Sequence, residues 1–535
     1  MSCTVLYNAK IYMEQGRFAQ AMRIENGIIR ALGTDAEILA DAPAEAALYD
    51  AGGRTVVPGF NDSHMHLQNV GELMGSVQLL GCGSVAEMQQ AVARYISEKK
   101  PAPGAVIYGM GWNQDYFAEG RLPTRFDLDA VSGDHPVILE RACGHILVCN
   151  SAAIRAAGIT EQSDPPAGGA HDKDESGALT GIFRENACYP ILALRPPRTV
   201  ETVAAALREA MDYAASHGIT SVQTMDLRPG AWRTTLAAYN KLQSEHPTLR
   251  VYHQCNFQEP QGFREFLAEG HRTGEGDGFN KIGPLKMFVD GSLGARTAAL
   301  RQPYQDDPAT RGIPTMTEAE LGEMVALADE HNCQVIVHAI GDEAIRMVLD
   351  SYEPVTRAGN PLRHGIVHCQ ITDGPLLRRF AHRDILALTQ PIFLHYDMTV
   401  LEDRVGKTLA STSYAFESLR RLGVHQSFGT DSPVENMDPL PNLYCAVTRK
   451  NLRGGPEGGF YPAECMTVAD ALDAYTLGSA YVSGEETVKG RLLPGYYADL
   501  AVLSADIFTI APERIKDVTV EATMVDGRFV YRRES

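Results

Sequence analysis

The feature that most constrains this chain is a rhythm. Apolar runs suited to strands recur between amphipathic helical stretches along most of its 535 residues. After a first strand ending at Phe60, strands are expected at 219–225, 249–257, 284–290, 334–339, 365–370, 385–391 and 424–430. Helical periodicity fills the gaps at 201–217, 318–332, 342–357 and 413–422, and again at 467–482 after the last strand. Eight strand–helix units in a row predict an α/β fold, a closed parallel (β/α)8 TIM barrel. The competing architecture, an open doubly wound sheet, normally carries a glycine-rich phosphate loop after its first strand. Here that place holds histidines instead.

Two segments depart from the rhythm. Residues 1–54 and 488–535 read as short strands and tight turns, with Asn26-Gly27 and Asp526-Gly527 as hairpin signals. Neither piece holds enough apolar surface to stand alone, so the two are expected to join in one small β-sandwich. The barrel then occupies 55–487 as an insertion between the halves. Residues 70–200 are far longer than one crossover needs. They contain a helix at Val85–Lys99, the stretch Gly109-Met110-Gly111-Trp112-Asn113, a strand-like 137–140 and a Gly/Pro/Asp-rich loop at 164–177. This is expected to be an inserted subdomain after strand one, near the active-site mouth, where substrate contacts belong.

Composition removes several functions. A net charge of −19 argues against binding nucleic acid or an anionic membrane surface. No uninterrupted apolar run reaches the ~18–20 residues that span a bilayer. The start, MSCTVLYNAK, lacks the basic and apolar regions of a secretion signal. Ten cysteines without a CxxC or paired spacing fit thiols in a reducing compartment, so the cytoplasm is expected. A small-molecule substrate is the remaining expectation, and barrels of this kind commonly form homodimers.

Candidate ligands stand at the ends of the apolar runs. In Pro58-Gly59-Phe60-Asn61-Asp62-Ser63-His64-Met65-His66, the two histidines share one side of an extended backbone and can aim at one divalent cation. His338 follows Val335-Ile336-Val337, His368 follows Gly365-Ile366-Val367, and Asp431 follows Phe428-Gly429-Thr430. Singly, each is a common core or capping residue. In the order HxH, His, His, Asp on strands one, five, six and eight, they fall where a barrel builds its active site. Lys286, inside Pro284-Leu285-Lys286-Met287-Phe288, is costly as a buried ammonium. As a neutral amine it can take up carbon dioxide and become a carbamate able to bridge two metals. The plainer alternative pairs it with Asp290 or another carboxylate.

These motifs, PGFNDSHMH, KMFVDGSLGARTAAL, VHAIGDEAI, HGIVHCQ, FGTDSPVENMDPL and the closing YYADLAVL, resemble the metal-dependent amidohydrolase superfamily over nearly the whole chain. They are most similar to its YtcJ-like branch, which includes N-substituted formamide deformylases. The resemblance implies a barrel with a sandwich from both termini and a centre of one or two divalent ions, zinc most often. His64, His66, His338, His368 and Asp431 match its metal-site positions, and Lys286 matches the strand-four lysine that is carbamylated in many members. One departure stands out: the charged arginine and glutamate expected before the strand-six histidine are replaced by Gly365-Ile366-Val367, which alters the polarity around His368.

The chemistry expected is hydrolysis of an amide-type, non-peptide C–N bond by metal-activated water, with Asp431 moving the proton and His368 or His338 binding metal or the developing oxyanion. Glu185, His145, Trp112, Asp290 and Arg296 are candidate substrate contacts. Two alternatives stand beside this reading: a single-metal deaminase without a carbamate, and a catalytically silent barrel used for binding or regulation.

Overall fold

The structure, a computed structural model, describes residues 3–141, 145–245 and 247–534. The tenth cysteine, Cys143, lies outside the described residues. One sheet holds eight strands in chain order: β1 (Phe60–Met65), β2 (Ile219–Leu227), β3 (Arg250–Asn256), β4 (Asn280–Phe288), β5 (Val335–Ala339), β6 (Gly365–His368), β7 (Leu386–Thr389) and β8 (Gln426–Phe428). Every neighbouring pair is parallel. Just past the strand ends, Asp431 N donates to His64 O and His66 N donates to Ser432 O, both at 2.8 Å, and so join the last strand to the first. The fold is a (β/α)8 TIM barrel.

The strands are buried on both faces, which is why they read as apolar runs. All nine residues of β2 are buried. Outside the sheet, Leu285, Val335, Val337 and Ile366 pack against Leu321, Met324 and Val325 of the helix Glu318–Glu330 and against Ile345 and Val348 of the helix Asp342–Tyr352. The first of these helices starts where Thr317 and Glu320 form a capping box, each side chain satisfying the other's backbone amide.

The start of the barrel differs from the reading of the sequence. The run Thr55–Pro58 is not barrel strand one. It pairs antiparallel with Leu500–Leu503 and parallel with Lys10–Glu14 in a six-stranded sheet. The chain switches sheets at Gly59, where a Cβ would lie 2.2 Å from the Thr220 side chain. Barrel strand β1 then begins at Phe60, so His64 lies within a strand rather than beyond one. The apolar pattern runs unbroken through the switch, and hydrophobicity alone cannot mark it.

The six-stranded sheet runs in the order Arg528–Arg532, Val520–Val525, Leu500–Leu503, Thr55–Pro58, Lys10–Glu14 and Arg17–Ala19. A four-stranded sheet holds Ile28–Gly33, Ala21–Glu25, Cys3–Tyr7 and Ala47–Asp50. Leu6, Ile11, Met22 and Ile24 share one core with Val56, Leu500, Val502 and Met524, so residues from both ends of the chain fill it. A short helix, Pro512–Asp517, precedes the strand Val520–Val525.

Residues Gln68–Glu209 form a separate compact unit. Its six-stranded sheet runs Gly169–Lys173, Leu179–Glu185, Ile146–Cys149, Val137–Arg141, Ile107–Trp112 and Val77–Gln78. The helix Val85–Lys99 has the expected bounds and is capped by Ser84. Among the described residues no helix is long and apolar enough to cross a membrane.

A buried ion pair locks the barrel to the sheet from the chain ends. Arg250 of β3 meets Asp499, one residue before Leu500–Leu503, through Nε–Oδ2 at 2.6 Å and Nη2–Oδ1 at 3.2 Å. The side chains are 3% and 6% exposed, so removing Asp499 leaves a buried Arg250 with only the more distant Asp526, 3.6 Å from Nη2, to balance its charge. Asp499→Ala is expected to destabilise the protein by about 3–5 kcal/mol in urea unfolding. An unchanged midpoint and slope would show that the two parts do not depend on this pair.

Candidate metal centre

Strand β1 aims His64 and His66 to one side, with ring centroids 5.6 Å apart. Their Nε2 atoms converge on a single carboxylate oxygen, Asp431 Oδ1, at 3.3 and 3.0 Å. Asp431 lies three residues beyond β8 in the left-handed region at φ +57°. His368, the last residue of β6, is also left-handed at φ +79°. Such outliers cost of order 1–3 kcal/mol each and persist where the surroundings over-determine them.

The other sequence candidates form a second tier. The His368 ring stands 5.5 Å from that of His64 and 4.5 Å from that of His338. His338 Nε2 lies 3.1 Å from Gly291 O and 3.3 Å from Asp290 Oδ1. Lys286 is fully buried, its Nζ 3.7 Å from the Phe288 ring centroid and donating to Met287 O at 3.3 Å. The alternative pairing of Lys286 with Asp290 is not what the structure holds. Asp290 instead accepts the amides of Ala299, Ile340 and Gly341. Only His64, His66 and Asp431 place ligand atoms within 4.8 Å of one another among the described residues. Lys286, His338 and His368 surround that group without joining it.

The remaining candidates serve elsewhere. Arg296 pairs with Asp306 at 2.8 Å. Within the Gln68–Glu209 unit, His145 Nδ1 meets Glu185 Oε2 at 3.0 Å, and both side chains are largely exposed. Trp112 is fully buried in that unit's core, its Nε1 donating to Leu139 O at 2.8 Å, which is a packing position.

Burial shapes the electrostatics. It pushes His64 down to about 3, against the pull of the Asp431 carboxylate, and holds His368 well below the usual imidazole value, with His338 adding to the effect. Both rings are therefore neutral and carry a lone pair. Burial alone would raise the Asp431 carboxyl, but the His66 hydrogen bond and the neighbouring imidazoles hold it well below the carboxylate range, so it is ionised. Burial brings the Lys286 amine down to about 7, opposed by Asp431.

Three residues that sequence reasoning missed build this geometry. Asp62 is fully buried and accepts His64 N at 3.1 Å, Thr430 N at 3.1 Å and Thr430 Oγ1 at 2.6 Å, with Tyr475 Oη at 3.3 Å. Burial pushes its carboxyl up to about 7, and these donors oppose the rise. Its signal was in plain view: the parity that selects His64 and His66 also selects Asp62. Gln254 Oε1 lies 2.5 Å from His64 Nδ1, and Gln390 Oε1 lies 2.8 Å from His368 Nδ1. Their only mark in the sequence is an amide interrupting, or closing, an apolar strand.

This donor set fits a divalent ion. Two imidazole nitrogens and a carboxylate suit a borderline cation such as zinc. Their convergence on one oxygen leaves a common point for it, and His66 Nδ1 is buried without a hydrogen-bond partner.

A parallel eight-stranded barrel with an HxH pair on its first strand and an aspartate beyond its last has the architecture of a metal-dependent hydrolase. The chain belongs to the amidohydrolase family, which matches residues 47–531, and is thus a hydrolase acting on carbon–nitrogen bonds. It is 32% identical over 532 residues to the YtcJ protein of Bacillus subtilis (strain 168), covering 97% of each chain. Identity to the N-substituted formamide deformylase of Arthrobacter pascens is 27% over 536 residues, covering 96% of this chain and 95% of that one. An uncharacterized metal-dependent hydrolase from Pyrococcus horikoshii superposes with a TM-score of 0.77 at 28% identity, covering 96% and 99% of the two chains.

Asp62→Ala would strand the His64 amide and both Thr430 donors, at about 1–3 kcal/mol each. Metal-stripped Asp62→Ala is expected to unfold at clearly lower urea than the wild type. Thr430→Val, which loses only the hydroxyl donor, should shift less. Equal midpoints for all three proteins would remove Asp62 from the closure of the barrel.

Proposed function

We propose that this protein is a zinc-dependent hydrolase that cleaves an amide-type, non-peptide C–N bond of a small molecule. The observation that carries this reading is the convergence of His64 Nε2 and His66 Nε2 on Asp431 Oδ1. His64, His66 and Asp431 would hold the ion, with His368 and His338 beside them. When bound, zinc supplies a water of lowered pKa and a Lewis acid for the scissile carbonyl. Asp431 is ionised, and with Oδ1 facing the two imidazoles its Oδ2 is the atom left to take a proton from the attacking water and return it to the leaving nitrogen. His368 and His338 lie close enough to each other to flank one substrate carbonyl.

Lys286 decides how many ions the centre takes. Full burial without a carboxylate partner supports a carbamate: Nζ adds to carbon dioxide, an N–C bond forms and the amine proton leaves to solvent. A second reading, a single-metal hydrolase of deaminase type, is favoured by the three-residue ligand group that leaves Lys286 outside.

Elemental analysis of purified protein tests both. The expected result is one or two equivalents of zinc, with Asp431→Asn reducing turnover by about 10²–10⁴-fold. Loss of one equivalent in Lys286→Ala supports the carbamate bridge, and unchanged stoichiometry supports a single ion. Protein that neither contains zinc nor takes it up on dialysis would overturn the proposal.

A further inference from the structure

The two most deeply buried histidines of the centre are each gripped by a glutamine, and the grip has a direction. Gln254 Nε2 donates to Ser63 O at 2.9 Å, so its Oε1 is the atom 2.5 Å from His64 Nδ1. Turning the amide over would set oxygen against the Ser63 carbonyl oxygen, which cannot donate. The same holds at the far side of the barrel, where Gln390 Nε2 donates to Leu388 O at 3.2 Å and Oε1 faces His368 Nδ1 at 2.8 Å. An amide oxygen only accepts, so Nδ1 of each ring must carry the proton. With the proton on Nδ1, the nitrogen each ring can offer to an ion is Nε2. For His64 that nitrogen faces Asp431 Oδ1, itself an acceptor, across 3.3 Å. Two acceptors held face to face in a buried site repel each other unless a cation lies between them.

The centre's other two histidines lack this device. His66 Nδ1 is buried without a partner. His338 Nε2 is held by a backbone carbonyl and Asp290 rather than by a side-chain amide. The glutamines come from β3 and from the residue after β7, and neither belongs to the ligand group.

We infer that Gln254 and Gln390 are positioning residues that select the Nδ1–H tautomer of His64 and His368, and that Gln254, acting through a residue of the ligand group, thereby sets how tightly the centre keeps its ion. This rests on the metal-centre reading above. Partners of this kind, acting through a ligand's far nitrogen, typically change metal affinity by about 10–100-fold.

The test reads tautomer and affinity separately. In metal-stripped protein labelled with ¹⁵N-histidine, His64 and His368 should show the proton on Nδ1. Gln254→Met keeps the volume but removes the acceptor. It should shift the His64 signature alone and weaken zinc binding, measured by chelator competition, about 10–100-fold. Gln390→Met should shift the His368 signature alone and leave zinc affinity at the wild-type value. His64→Ala is the control for the ligand set. If the wild type binds no zinc, or His64→Ala binds it equally well, the metal-centre reading has failed. If His64→Ala loses zinc while Gln254→Met keeps wild-type affinity, or if Gln390→Met leaves the His368 signature unmoved, the inference is overturned. Circular dichroism of the stripped proteins checks folding. Should a methionine variant unfold, Gln254→Asn or Gln390→Asn, an amide too short to reach the ring, takes its place under the same criteria.

Discussion

A carboxylate buried without a cation is expensive, and Asp62 sits at the seam of the barrel with only hydrogen-bond donors around it. The expense is offset by what it joins. One oxygen takes the amide of His64 in β1, and the other takes the amide and hydroxyl of Thr430 beyond β8. Asp431 follows Thr430 directly, so the group that stitches the sheet also sets the distance between the HxH pair and the aspartate. Gly429 belongs to the same constraint: a Cβ there would lie 2.7 Å from His64 N and 2.8 Å from Asp62 Oδ1. Closure of the barrel and assembly of the centre are one event here. Substitutions at Asp62, Gly429 or Thr430 are therefore felt at the ligands even though none of these residues is one.

The same economy governs the barrel's outer attachment. The chain enters the barrel from Thr55–Pro58 through Gly59, with no intervening loop, and its far end returns to pair with that strand. The Arg250–Asp499 pair lies close to this junction, and Asp499 O also accepts Gly59 N at 3.0 Å. The position of β1, and with it the aim of His64 and His66, is thus tied to residues almost the whole chain away.

Much of this was legible beforehand, and the reasons differ by residue. His64, His66, His338, His368 and Asp431 could be found because each interrupts or closes an apolar run, and strand ends in a barrel share one rim. The strands Lys10–Glu14, Arg17–Ala19 and Ala47–Asp50 could not, because their burial is partial and their patterns mix polar and apolar residues without clean alternation. Thr55–Pro58 misled for the opposite reason: its apolar pattern continues through a change of sheet that only the close approach of Thr220 enforces. Gln254 and Gln390 stayed invisible because an amide's role depends on which atom faces a partner across the barrel. No spacing along the chain encodes that orientation.

The departure at strand six now has a physical account. Where charged residues were expected ahead of His368, a Cβ on Gly365 would already lie 2.8 Å from Leu388 Cδ1 and 3.1 Å from Leu386 Cβ, leaving no room for a longer side chain. Val367 packs with Ile336, Leu386 and Leu388 in a fully apolar cluster. The surroundings of His368 are consequently low in dielectric, and Phe393 stacks on its other side with centroids 5.8 Å apart. In such a setting the Gln390 amide, 2.8 Å from Nδ1, is the hydrogen-bond partner that orients the ring. The loss of charge on strand six and the presence of Gln390 at the end of strand seven are then two sides of one arrangement: an imidazole kept neutral by apolar packing and turned to one face by a neutral amide.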